Sequence, residues 1–118
     1  MRVISIIKIK EAMSTYPQWR VGLQLWYDTF NKSSLNFESY QQIKDQWLSQ
    51  SGWNTDRVPA RKIKDCSFQG DNYDTYIFDI HKTDCRVVSR IDTKRNKIFI
   101  RGIFSHAEYE KWCKANIT

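Results

Sequence analysis

Four glycines and two prolines in 118 residues are too few for a collagen-like, turn-rich or disordered chain, so a folded protein is expected, with residues 1–118 as one domain. Three cysteines, Cys66, Cys85 and Cys113, form no C-x-x-C pair, which removes support for a zinc ribbon or a thioredoxin-like site. Widely spaced and odd in number, they fit a reducing compartment, each expected as a small buried apolar residue rather than a nucleophile. Only two histidines, His81 and His106, offer a side chain that titrates near neutrality. Long hydrophobic runs are missing too. The apolar stretch in residues 1–10 is broken by Ser5, Lys8 and Lys10 and is too short for a signal-peptide core or a spanning helix. A soluble cytoplasmic protein is the expectation.

What the chain does have is aromatic side chains, 14% of the total with five tryptophans, and a net charge of +6. The charge favours a polyanionic partner, whether RNA, DNA, an acidic protein or an anionic membrane, and does not choose among them.

Residues 2–7 are β-branched and apolar and predict a strand. Ile9, Ala12, Met13 and Tyr16 then share a helical face that Pro17 interrupts. Trp19, Leu23, Trp26, Tyr27 and Phe30 recur at spacings of three and four, an aromatic stripe that reads as core rather than a base-stacking surface. Tyr40, Ile43 and Trp47 predict a shorter third helix ending before Ser49. Residues 51–59, with Gly52, Asn54, Asp56 and Pro59, read as a loop. Beyond Pro59 the pattern turns to strands: one over residues 60–65, a turn at 69–72, then strands at 76–80, 85–91 and 97–104 as an antiparallel meander. Ser105 and Glu108 have the spacing of a capping box that opens a last helix carrying Tyr109, Trp112 and Cys113. The fold class is therefore α+β, an N-terminal strand and helices packed on one face of an antiparallel sheet, with a C-terminal helix.

Strand alternation puts Arg86, Val88 and Arg90 on one face, and Lys97, Phe99, Arg101 and Ile103 on one face of the next strand. Arg86, Arg90 and Arg101 can thus line one open, concave surface beside Phe99. Guanidinium groups fork to phosphate oxygens, and rings stack unpaired bases, so this pattern suits RNA. The same arginines could instead pair with Asp79, Asp84 or Asp92, and the sequence leaves both open. His106, in the first turn of a helix, is a better candidate for proton transfer than His81 in a hairpin turn.

The segment 76–80, then Cys85-Arg86-Val87-Val88, Ile98-Phe99-Ile100-Arg101 and the closing Ser105-His106-Ala107-Glu108-Tyr109 resembles the HigB-type toxins of the RelE superfamily. The family pattern runs roughly F-N-I-x-x-N-x-Y-R-L-V and then I-R-F-x-G-T-H-x-E-Y-D. Residues 1–4, Trp26-Tyr27 and residues 39–44 also fit, while residues 48–61 form a longer insertion than usual. Asp79 stands in place of the usual Asn, residues 81–83 replace a glycine-containing turn, Ser105 replaces Thr and Glu110 replaces Asp. The altered turn puts local hairpin geometry and substrate preference in doubt.

The resemblance implies a RelE-like fold and a metal- and cofactor-independent endoribonuclease that cuts translated mRNA, usually on the ribosome. The chemistry it implies is attack of a 2′-hydroxyl on the adjacent phosphate, leaving a 2′,3′-cyclic phosphate. Arg86 and Arg101 would stabilise the developing charge, His106 would act as acid or base, and Tyr109 would orient or assist. Lys44, Lys62, Lys64 and Arg90 would hold RNA backbone, with Phe99 stacking. The implied protein partner is a helix-turn-helix, HigA-like antitoxin. Glu108 is already explained by the cap. Two other classes remain: a non-catalytic RNA- or ribosome-binding module, and a relative that acts on a protein target.

Overall fold

The computed structural model describes residues 1–118. Arg2–Ile4 forms a short strand, β1. Ser5 then adopts a left-handed conformation, φ 73°, and the chain enters helix α1, Ile6–Thr15, at once. The expected strand through residue 7 is corrected by that turn, and Ile7 becomes an exposed first-turn residue of the helix. Ile9 and Ala12 are buried as their spacing requires. Pro17 ends the run in a single 3-10 turn, Pro17–Trp19, which feeds helix α2, Arg20–Phe30. Helix α3, Tyr40–Ser51, is capped by the Ser39 hydroxyl, which accepts from the Gln42 amide at 3.3 Å. It runs past Ser49 because its last turn is polar and solvent-facing, which leaves no apolar period to read.

The expected loop at 51–59 contains a strand, β2, Thr55–Val58. It is a sheet edge whose middle residues, Asp56 and Arg57, are exposed charges, the composition that protects edges and hides them from pattern reading. The strand expected at 60–65 is absent: after Pro59 the chain makes a 3-10 turn, Ala60–Lys62, and only Ile63 forms a bridge, to Ile117. A two-residue hairpin follows, β3 (Ser67–Phe68) and β4 (Asp71–Asn72). Its corner residues Gln69 and Gly70 both take positive φ, 50° and 86°, as a type I′ turn requires.

The meander is then as expected: β5, Thr75–Ile80, β6, Cys85–Asp92, and β7, Lys97–Ser105, leading into helix α4, His106–Asn116. The sheet order is β1-β7-β6-β5-β2, antiparallel throughout except that β1 pairs parallel with β7. Helices α1, α2 and α3 cover one face. Trp26, Phe30, Trp47 and Phe78 are its largest fully buried side chains, with Phe30 and Phe78 centroids 5.0 Å apart and the Trp26 and Phe78 rings edge-on at 5.5 Å. At about 25 cal/mol per Å² of apolar area, rings of this size dominate the stabilisation of that layer. No helix is long and apolar enough to cross a membrane.

The expectation that all helices share one face is corrected by α4. It packs across β6 and β7 on the opposite face, and its start is set by a capping box: Ser105 Oγ accepts from the Glu108 amide, and Glu108 accepts from the Ser105 amide at 2.9 Å. Central strands β5 and β6 are consequently buried on both faces, arginines included.

Candidate functional site

The arginines do share a face, but that face is not open. Arg86 lies opposite Asp79 on β5 and Phe104 on β7, and Arg90 lies opposite Phe99. Between Val88 and Ser89 the register with β7 slips by one residue, so Arg101 has no Cα partner of its own. This bulge flips the remainder of β7. Ile103, expected beside Arg101, packs instead into the helix-side core, and Phe104 turns to the arginine face. Gly102 is required there, because a Cβ at that position would come within 2.2 Å of the Phe104 ring.

The arginine face is roofed by α4 and by residues 63–73. Arg86 Nε lies 3.0 Å from Asp79 Oδ1, with the two side chains 10% and 13% exposed. The contact is poorly aligned for a hydrogen bond and holds as an ion pair. The Arg86 guanidinium also sits 4.8 Å from the centroid of the Tyr109 ring, a cation–π contact that replaces part of the lost hydration. Burial raises the Asp79 carboxyl above its ordinary value, Arg86 pulls it back and Asp56 adds to the rise. The pairing with Asp79, one of the two possibilities that the sequence left open, is the arrangement found for Arg86.

Arg90 donates to the Asp65 carbonyl at 3.2 Å and lies over the Phe68 ring at 4.9 Å, and Phe68 in turn packs on Phe99 at 4.9 Å. Burial, then the neighbouring Arg101 charge, lowers the Arg90 pKa. Arg101 Nη2 contacts Asp65 Oδ2 at 3.4 Å and its guanidinium is 5.9 Å from the Trp112 ring. Its Nη1 is buried without a partner, while the Asp65 side chain is 79% exposed. Arg101 therefore has the weakest attachment of the three and a donor to spare.

Tyr109 stacks on Trp112 with centroids 6.1 Å apart. Burial pushes its phenol pKa well up, and the Cys113 thiol beside it adds to the shift. Its hydroxyl is thus a hydrogen-bond donor across the ordinary pH range, and a base only in strong alkali. His106, one turn earlier on α4, is exposed and pairs with Glu110 at 3.1 Å, and no hydrogen bond or ion pair joins it to Arg86 or Arg101. Its backbone amide donates to the Asp84 carbonyl, which fixes the β5–β6 turn against the helix start.

Three of the expected RNA contacts make no hydrogen bond or ion pair with this cluster, although Lys64 adjoins Asp65 in the roof over it. Lys44, on α3, stands over the Tyr40 ring at 5.9 Å, and Arg57 shares that ring at 5.3 Å. Lys62 and Lys64 flank the end of α4, where Lys64 donates its amide to Asn116 and the Lys62 carbonyl accepts from Thr118. Asp65 and Phe68 carry no signal in the sequence, and Trp112 reads there only as part of the apolar side of α4, so none of the three is an expected site residue. Asp65 sits at φ 54° in an irregular segment, so no periodicity marks it. Of the thiols, only Cys85 is fully buried, and burial pushes it up to about 12; Cys66 and Cys113 are half-buried, against expectation. No group of three or more His, Cys, Asp or Glu side chains is placed to hold a metal ion.

Fold and site together define a mixed α+β protein with an aromatic-lined cluster of arginines packed on one face of its sheet. Residues 61–112 match the HigB_toxin family model, the RelE-like toxic component of a toxin–antitoxin system. This is the family that the sequence pattern resembles. The matched stretch contains Arg86, Arg90, Arg101, His106 and Tyr109, whereas α1, α2, α3 and β2 lie outside it. A search of curated proteins gives no match.

Proposed function

We propose that the chain, as one RelE-like domain over residues 1–118, is the toxin of a type II toxin–antitoxin system and acts in the cytoplasm as an endoribonuclease on translated, ribosome-associated mRNA. The observation that carries this reading is the Arg86–Arg90–Arg101 cluster, backed by Tyr109 and Trp112 inside the matched stretch. A 2′-hydroxyl attacks the adjacent phosphorus, the bond to the 5′-oxygen breaks, and a 2′,3′-cyclic phosphate remains. Arg101, whose spare Nη1 and loosely held Nη2 can turn to a phosphate, binds the developing charge directly. Arg86, locked between Asp79 and Tyr109, contributes a fixed positive field and positions α4. His106 serves as the acid or the base, so that the proton lost by the 2′-hydroxyl is balanced by one delivered to the departing 5′-oxygen, which leaves as a 5′-hydroxyl; Tyr109 donates a hydrogen bond, and no metal or cofactor takes part. A HigA-like helix-turn-helix antitoxin is the neutralising partner.

The exposed pairing of His106 with Glu110, away from the arginines, favours a second reading, a non-catalytic RNA- or ribosome-binding module. Translating ribosomes programmed with a defined message separate the two. New RNA ends within codons, lost in Arg101→Ala and His106→Ala, are the expected result. Salt-sensitive binding without any cut end would sink the nuclease and leave the binding module. Growth arrest with intact RNA would point to a protein target.

A further inference from the structure

The other end of the sheet carries a second cationic feature that the cluster above does not use. β1 and β7 run parallel from Arg2 and Lys97, which are Cα partners, and the β6–β7 turn brings Arg95 and Asn96 beside them. Together with Asn31 and Ser33 these residues line a concavity of about 570 Å³ that contains no carboxylate. Arg2, Ser33 and Arg95 are exposed, and Lys97 is half-buried. Arg95 is partly committed, since it holds Asp92 at 2.8 Å. Arg2 and Lys97 make no salt bridge and are the free charges of the recess. The carboxamide oxygen of Asn96 is buried there without a partner.

We infer that this recess is a second phosphodiester-binding site, which grips RNA backbone remote from the bond being cut. Arg2 and Lys97 neutralise successive backbone phosphates, a grip by charge that needs no contact with the sugar or base. At about 3.3 Å per residue, Lys97 lies roughly 13 Å along β7 from Arg101 and roughly 25 Å from the His106 end, too far for one phosphate to touch both recess and cluster. The neighbouring cavity of about 460 Å³ is lined by Asp71, Asp74 and Asp92 against Lys94 and Arg95, so its charges are largely balanced and it lacks the carboxylate-free lining of the recess. That the ligand is RNA rests on the function proposed above; that a polyanion is gripped here does not.

Salt titration of binding to a labelled RNA hairpin, followed by fluorescence anisotropy, tests this. The double substitution Arg2→Gln/Lys97→Gln is expected to lower the log–log salt slope by about two. Ser33→Asp, which places a negative charge in the recess and removes no cation, is expected to weaken binding as well, and matching thermal melts exclude misfolding as the cause. Unchanged affinity in both variants overturns the site. Recess-dependent binding to anionic lipid vesicles but not to RNA overturns the ligand class. Arg101→Ala is expected to lower cleavage on the order of 10²–10³-fold and to keep the recess-dependent part of the slope. A wild-type chain that binds in this way without cutting would remove the nuclease reading alone.

Discussion

The two faces of this sheet are built on opposite principles. Under α1, α2 and α3, Trp26, Phe30, Trp47 and Phe78 interlock with scarcely a polar atom among them. Under α4 and residues 63–73, comparable burial is given to three guanidinium groups, each resting on an aromatic ring and facing an aspartate or its carbonyl. Removing a charge from water is costly, so the second face stabilises the fold less per unit of area than the first. A chain that needed only stability would have filled both faces with apolar side chains. The difference assigns most of the stability to the helix-covered apolar face, and the function proposed above places the chemistry on the other.

The largest effect that can break this contrast is Trp47→Ala. Trp47 is fully buried and its indole N–H donates to the Asp79 carbonyl at 2.9 Å, so urea denaturation is expected to show a loss of about 3–5 kcal/mol. Arg101→Ala is the counterpart: RNA cleavage is expected to fall on the order of 10²–10³-fold while the loss of stability stays well below that of Trp47→Ala, because the ion pair broken is with an exposed aspartate. A large loss of stability there would make the arginine face structural and collapse the comparison. Ser105→Ala removes the cap of α4 and is expected to cost about 1 kcal/mol, with a smaller drop in activity because Tyr109 and Trp112 fray from the arginines. Smallest is Asp65→Asn, which weakens an exposed anion's hold on Arg101 and is expected to tighten RNA binding about two- to fivefold, measured by anisotropy.

Acid titration sharpens the contrast through sign rather than size. Asp79, raised by burial against the pull of Arg86, keeps its proton to higher pH in the folded chain than in the unfolded one. Its contribution is whole below about pH 3.8 and is lost as the pH rises through the folded value. Asp92 behaves in reverse. Burial works to raise it, but hydrogen bonds from Arg95 and Tyr73 hold it below 3.8, so its stabilisation is present above that pH and lost as the pH falls through the folded value. Stability profiles of Asp79→Asn and Asp92→Asn across the acid range are expected to lose opposite slopes.

Much of this contrast was legible in the sequence. The aromatic stripe of α2 has helical spacing and an apolar destination, so it read as core, and the capping box of α4 is a local motif that needs no tertiary knowledge. Arg86 and Arg90 share a face because alternation survives along β6. Arg101 was grouped with them correctly, yet Ile103 was not, because a bulge inserts a residue without any mark in composition. The roof over the arginines was illegible for a related reason. Asp65 and Phe68 lie in an irregular segment, where nothing periodic ties a side chain to a face. Which face α4 would cover also depends on the direction in which the chain leaves Ser105, and the cap residues are the same for either.

The parallel pairing of β1 with β7 has a consequence for synthesis. The first strand waits for a partner more than ninety residues later in the chain, Arg2 with Lys97. Until β7 has left the ribosome, β1 has no neighbour, β6 has only one, and Arg101 has not joined Arg86 and Arg90. Such long-range pairing is slow, and it comes last. The arginine cluster therefore comes into being only as the last strand and the final helix are made.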